Sequence, residues 1–272
     1  MQLKKTPVHE TAEWLGLPVW TPERPRRPEF IEQVRALVPD LIVLAAYGRI
    51  LPTELLQIAP RGNWNLHASL LPKYRGAAPI QYAILNGETE TGVTLMEMVA
   101  EMDAGDIYLQ AVEPIYPEDD AGTLEQRLAQ RAAELALEGL RRLQAGTLTR
   151  TPQDPSQATY APLIRKEDTF IRWEESAQRC HNRVRAFSPK PGALTRWRGK
   201  LLKLWRTQPI PYPSEENRQE AGTLLQVSPE GLVVACGTGA LRILELQPEN
   251  RARMSARDFI NGYRPQPGER MG

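Results

Sequence analysis

Two residues two positions apart, Asn65 and His67, are the first in the chain whose types could share a chemical task. They open the run Asn65-Leu66-His67-Ala68-Ser69-Leu70-Leu71-Pro72-Lys73-Tyr74-Arg75-Gly76-Ala77-Ala78-Pro79. If residues 62–66 form a buried parallel strand, alternation aims the Asn65 amide and the His67 imidazole the same way. They would then stand at the carboxyl end of a strand, where open α/β sheets hold their ligands. A third candidate is Asp103, a carboxylate in the glycine-containing loop Glu101-Met102-Asp103-Ala104-Gly105-Asp106-Ile107. Each feature has a plainer reading. A single histidine is more often satisfied or solvated, an Asp two residues before Gly is a common turn residue, and the run from Ser69 to Pro79 could be a structural loop. The chemical reading rests on their joint occurrence in this order. Ser69 has the type of a nucleophile, but no Gly-X-Ser-X-Gly elbow surrounds it, and it reads as a loop residue.

The elements that must position these groups read as α/β. Residues 8–15 suit a short helix ended by Gly16. Residues 29–37 carry Phe30, Ile31, Val34 and Leu37 at helical spacing, and Pro39 closes them. The continuous branched run 41–46 is expected to be a strand buried on both faces of a parallel sheet. Residues 76–86 read as a helix with Pro79 in its first turn, and 92–98 alternate like a strand. Thr123 and Gln126 form a capping box opening a helix with Leu124, Leu128, Leu135 and Leu143 near one face. Residues 146–161 are a polar connector that marks a domain boundary. Residues 174–186 then read as a helix. Short β runs follow at 193–197, 200–205, 222–227, 232–236 and 240–247, and Ser255 with Asp258 caps a last helix. The expected fold is therefore a Rossmann-like, mostly parallel α/β domain over 1–146, a linker over 147–166, and a small C-terminal β-barrel (OB-like) domain over 167–272.

Composition narrows the function classes. The chain has 272 residues, and 41% hydrophobic with 25% charged residues fits a soluble globular protein. The longest apolar run, 41–46, is far short of a membrane span. The N-terminus lacks the apolar core of a signal peptide, and a cytoplasmic location is the default. Two cysteines are too few for a disulfide framework or a cysteine-built zinc site. Charge is uneven: residues 1–166 carry a balance of −4 and residues 167–272 a balance of +5. No Asp or Glu occurs from Ser176 to Ser214, where Arg179, Arg183, Arg185, Lys190, Arg196, Arg198, Lys200, Lys203 and Arg206 alternate with His181, Phe187, Trp197 and Trp205. A solvated basic face would explain this. The length of the acid-free stretch favours a surface for RNA phosphates.

The run HASLLPKYRGAAPIQYAILNGETETGVTLMEMVAEMDAGDI resembles the core of the methionyl-tRNA formyltransferase family. Upstream, VLAAYGRILP resembles that family's strand and folate-contacting turn. Downstream, residues 160–173, the run Arg185-Ala186-Phe187-Ser188-Pro189 and residues 222–260 resemble its C-terminal barrel domain. The Asn, His and Asp trio is common to 10-formyltetrahydrofolate-dependent formyltransferases, so it specifies chemistry. The longer run and the C-terminal domain narrow the acceptor. The resemblance implies formyl transfer from 10-formyltetrahydrofolate to the α-amino group of methionyl initiator tRNA, in translation initiation. Asn65 would donate to the formyl oxygen as it becomes an oxyanion, His67 would assist and relay protons, and Asp103 would orient His67 and accept a proton from the amine. Tyr47, Gly48, Ile50, Leu51, Ser69, Leu70, Leu71 and Pro72 would line the folate, with Met102, Gly105 and Asp106 opposite. Lys73 and Arg75 would neutralise terminal phosphates of the tRNA. No metal, no membrane and a monomer are expected. The alternatives are a formyltransferase acting on another amine, such as a sugar nucleotide, and a non-catalytic tRNA-binding remnant. Members of the family carry roughly forty residues before the point matched by Met1, about one βαβ unit, so the 41–46 strand is expected to have an open edge.

Overall fold

The computed structural model describes residues 5–49, 51–212 and 219–272. The chain forms two compact units, residues 1–42 with 47–63, and residues 43–46 with 64–272. In the smaller unit, α1 (Pro7–Trp14) starts where the Thr6 side chain accepts the His9 amide, and Gly16 follows its end at φ +68°. The next helix, α2 (Pro28–Ala36), begins on a proline, whose missing N–H has no partner to lose at that position. It buries Ile31 and packs beside α3 (Thr53–Leu56), which buries Leu55.

The larger unit opens with a sheet of β1 (Ile42–Ala45), β2 (Asn63–His67), β3 (Glu90–Glu97) and β4 (Ile107–Pro114), in the order β1-β2-β3-β4. It is not mostly parallel. Both β2 with β3 and β3 with β4 run antiparallel. The loop between β3 and β4 spans only residues 98–106, too short for the crossover a parallel pair needs. The expected strand buried on both faces is also absent. β1 lies at one edge of the order, and of its residues only Leu44 is buried while Val43 is 45% exposed. Leu95 and Trp64 are fully buried between the sheet and α5 (Ala121–Gln144). Gly139 allows that contact, since a Cβ there would stand 2.5 Å from Leu95 and 3.2 Å from Trp64. The cap of α5 lies three residues before the expected box: Asp120 is the N-cap and Thr123 closes the reciprocal pair. Between β2 and β3 runs α4 (Pro79–Leu85), with Pro79 in its first turn.

Beyond the connector, α6 (Ala177–Ala186) is capped by Ser176 and packs on both α4 and the second sheet. That sheet holds β5 (Ala193–Trp197), β6 (Lys200–Ile210), β7 (Leu224–Ser228), β8 (Gly231–Ala235) and β9 (Ala240–Pro248) in the antiparallel order β5-β6-β9-β8-β7, with β10 (Met254–Ser255) on β9. The expected closed barrel does not form, because no ladder joins β5 to β7. Instead the C-terminal residues bridge Trp197 through Met271 and Thr223 through Arg270. The last helix, α7 (Ala256–Tyr263), is capped by Ser255 on the Asp258 amide, as its sequence indicates.

His181 of α6 is half-buried against β6, where its Nδ1 lies 2.9 Å from the Thr207 hydroxyl. Burial first, then the nearby Arg185 guanidinium, push its pKa down to about 4. The unfolded chain takes up this proton near pH 6.5 and the folded chain does not. Stability therefore falls as pH drops from about 6.5 toward 4, and this contribution is flat above that window. In urea unfolding followed across pH 4–7, His181→Gln is expected to flatten part of this slope. An unchanged slope would remove His181 as its source.

Candidate active site

β2 carries Asn65 and His67 two residues apart, with Asn65 opposite Met96 and His67 opposite Thr94 on β3. Alternation along the strand places both on one face. The His67 side chain is 6% exposed, and its Nε2 lies 2.9 Å from the carbonyl oxygen of Tyr74. That oxygen can only accept, so Nε2 is the donor and carries hydrogen. The other ring nitrogen, Nδ1, is left free of the Tyr74 carbonyl. It faces Oδ2 of Asp103 at 3.6 Å. The two atoms stand just beyond direct hydrogen-bond distance.

Asp103 reaches His67 from the β3–β4 loop, and its backbone is left-handed at φ +51°. Its Oδ2 accepts the Gly76 amide at 2.8 Å. Gly76 itself sits at φ +124°, and a Cβ there would lie 2.6 Å from the Ala161 carbonyl oxygen. Only glycine fits both the conformation and the approach. The carboxamide of Asn65, on a half-exposed residue, has no hydrogen-bond partner among the described residues. Asn65, His67 and Asp103 all belong to the larger unit.

The loop after β2 is fixed from within. The Ser69 hydroxyl, fully buried, donates to the Lys73 carbonyl at 2.6 Å. The Thr94 hydroxyl donates to the Ser69 carbonyl at 2.7 Å and accepts the Leu71 amide at 3.1 Å, while Gln110 donates to the Leu71 carbonyl at 2.9 Å. Ser69 is therefore a loop anchor and not a folate contact, and Leu71, 3% exposed, is core. Leu70 and Pro72 are half-buried. Tyr74 closes the loop. Burial, followed by its 2.6 Å hydrogen bond to the Glu88 carboxylate, pushes its phenol up to about 12.

The other expected folate residues fall into two groups. Met102 is 58% exposed beside Asp103, Gly105 is buried against the Glu97 carbonyl, and Asp106 pairs with Arg150 at 3.6 Å. Tyr47, Gly48 and Leu51 lie in the smaller unit, where Tyr47 is 43% exposed, and Ile50 lies outside the described residues.

Several expected phosphate contacts are used inside the fold. Arg75 is 3% exposed, so it is not available to a tRNA phosphate as the sequence suggested; Lys73 next to it is exposed. Arg183 donates to the Asp168 carbonyl at 2.6 Å and lies 3.5 Å from Glu175. Arg185 donates to the carbonyls of Asp119 and Tyr116 at 2.6 and 2.7 Å. Both pin backbone turns instead of facing solvent. Arg198 pairs with Glu269, Arg206 with Glu245, and Lys203 donates to the Pro191 carbonyl. Lys190, Arg196 and Lys200 are exposed with no carboxylate partner among the described residues.

Sequence reasoning missed the connector. Its backbone runs beside residues 72–78: Arg75 donates to the Thr159 carbonyl, Ala161 donates to the Arg75 carbonyl, and the Tyr74 amide donates to the Thr159 hydroxyl, at 2.8–2.9 Å. A polar stretch with Thr and Pro carries no spacing that would reveal such a role.

The sequence profile described as Formyl transferase matches residues 2–140, and that described as Formyl transferase, C-terminal domain, matches residues 163–264. The chain belongs to the formyl transferase family. Among curated formyl transferases, the methionyl-tRNA formyltransferase of Geobacter metallireducens is 47% identical over 271 residues, covering 100% of this chain and 86% of the relative. That of Symbiobacterium thermophilum is 46% identical, covering 99% and 82%. Among solved structures, HypX from Aquifex aeolicus in complex with tetrahydrofolic acid has a TM-score of 0.65 at 24% identity, covering 88% of this chain and 41% of that one. WlaRD, a sugar 3N-formyl transferase, has a TM-score of 0.64 at 19% identity, covering 89% and 81%. At these identities the two structures share the fold.

Within the formyl transferase site, Gly76 combines a left-handed backbone with a close approach to the connector. Gly76→Ala is expected to lower folding stability by about 1–3 kcal/mol, from backbone strain and the Ala161 collision. A urea midpoint equal to that of the unaltered chain would show that the approach is not tight.

Proposed function

We propose that this chain transfers the formyl group of 10-formyltetrahydrofolate to the α-amino group of methionyl initiator tRNA. The observation that carries the reading is the facing pair of His67 Nδ1 and Asp103 Oδ2, on the strand face that also bears Asn65. The acceptor follows from whole-chain likeness to curated methionyl-tRNA formyltransferases at 42–47% identity.

An α-amino group has a pKa of about 7.7–8.0, so a neutral nucleophile is available near pH 7 without activation. Its attack on the formyl carbon puts negative charge on oxygen and positive charge on nitrogen. Asn65 is the donor for the oxygen, since its carboxamide is uncommitted. The new ammonium N–H fills the gap between His67 and Asp103, and one of them takes its proton. That proton then serves the departing folate nitrogen. The protein needs only to hold donors and acceptors in place, and an oxyanion donor is worth roughly 2.7–4 kcal/mol. The folate stands on the Met102 side of the Asp103 loop, with Leu70 and Pro72 as apolar neighbours.

We read residues 1–146 as the transfer domain, 147–166 as a linker and 167–272 as an RNA-contacting domain. Its phosphate contacts are Lys190, Arg196 and Lys200, with Lys73 near the site. Arg198, Lys203 and Arg206 assist from its rim. The protein works as a cytoplasmic monomer in translation initiation. None of the helices among the described residues is long and apolar enough to cross a membrane.

The reading is tested by formyl transfer to methionyl-tRNA with and without 10-formyltetrahydrofolate, with an amino-sugar nucleotide as the competing acceptor. Transfer only to the sugar nucleotide would overturn it. Asn65→Ala is expected to lower kcat by about 10²–10³-fold with little change in KM; unchanged kcat would leave a tRNA-binding protein without this chemistry. For the RNA surface, Lys190→Ala with Lys200→Ala should weaken tRNA binding and reduce the salt slope by about one for each phosphate no longer neutralised. An unchanged slope would move the RNA to another face.

A further inference from the structure

The Asp103 backbone conformation, φ +51°, is uncommon for a residue with a side chain and persists only where its surroundings hold it. Much of that hold comes from the connector. Thr151 exchanges two backbone hydrogen bonds of 2.8 Å with Ile107. Two residues later, the Gln153 amide nitrogen donates to the carbonyl of Asp103 at 2.8 Å and to that of Gly105 at 2.7 Å. Its amide oxygen accepts from Arg75 Nε at 3.2 Å and Nη2 at 2.8 Å. Both N–H groups and the oxygen of one side chain are thus committed.

These bonds join two loops. Arg75 precedes Gly76, whose amide holds the Asp103 carboxylate. Gln153 grips the same aspartate by its backbone. Arg75 is almost wholly buried, and its nearest carboxylate, Glu101, is 3.5 Å away on an exposed side chain. Gln153 is therefore the principal neutral partner of a buried cation and also the brace of the Asp103 loop.

We propose that Gln153 is a positioning residue for the reaction: it touches no reacting atom, and it sets the distance of Asp103 from His67. The proposal rests on the catalytic reading of that pair. Loss of the brace should misplace the carboxylate while leaving the RNA-contacting surface intact. An error of about an ångström in such a group can cost about 10²-fold in rate.

Three variants separate the contacts. Gln153→Ala removes all of them. Gln153→Met keeps the bulk and removes the hydrogen bonds. Gln153→Glu keeps an acceptor for Arg75 but sets carboxylate oxygens against the carbonyls of Asp103 and Gly105. All three are expected to lower kcat about 10–100-fold, with KM for methionyl-tRNA changed less than about 3-fold. The protein has only three histidines, His9, His67 and His181, so the imidazole nitrogens can be followed by NMR in the whole chain. In each Gln153 variant the His67 signals should move toward those of Asp103→Asn, while those of His9 and His181 stay.

The proposal is overturned by unmoved His67 signals, by a Gln153→Glu enzyme with the original kcat, or by losses confined to KM or thermal stability. Failure of the catalytic reading looks different: the unaltered protein, or Asp103→Asn, would then give the wrong transfer result, whatever the His67 signals do.

Discussion

A single backbone amide, that of Gly76, ties together two loops that lie 27 residues apart in the chain. It holds Oδ2 of Asp103, and it can do so only because Gly76 lacks a side chain at a place where the connector passes within contact distance. The confrontation of His67 with Asp103 follows. So does the tautomer of His67, since the Tyr74 carbonyl that fixes Nε2 belongs to the same loop. The hydrogen-bond ladder under Ser69 and Leu71 keeps that loop from drifting. The polar groups of the site are held by bonds to backbone, which has few conformations to choose from. A preformed site of this kind suits a reaction whose barrier is one of charge placement.

Much of this was legible in the sequence, for reasons that differ by element. Asn65 and His67 could be assigned to one face because strand alternation is a local rule. The β5–β6 hairpin could be read because Arg198-Gly199 forms its turn, at φ +48° and +75°. α7 declared its start through Ser255 and Asp258. The cap of α5 was displaced because Thr123 stands in both readings, as an expected N-cap and as the observed third residue of a box begun by Asp120. Sheet direction was not legible. The apolar run at 41–46 looks the same in a central or an edge strand, and the antiparallel course of β3 depends on where its neighbours lie.

The acid-free stretch shows where a charge count fails. Nine Lys and Arg residues read as one surface, yet Arg183 and Arg185 point inward to carbonyls that need donors, while Lys190 and Lys200 remain in water. Helical spacing cannot distinguish an arginine that satisfies a turn from one that waits for a phosphate. Burial does. The same holds for Arg75, whose position beside the site suggested a ligand contact and whose guanidinium is instead enclosed by protein. The exposed charge without a carboxylate partner is smaller and more lysine-rich than the sequence implied.

The parallel course of residues 159–161 beside residues 72–78 makes the boundary between the domains a different object from a tether. A tether transmits only tension, whereas a segment stitched to the floor of a reaction site also transmits position. Whatever grips the C-terminal half at its basic surface is joined by continuous, hydrogen-bonded backbone to the glycine that aims the aspartate. A graft of another C-terminal half that began before residue 159 would therefore replace part of the backbone beneath the reaction site as well.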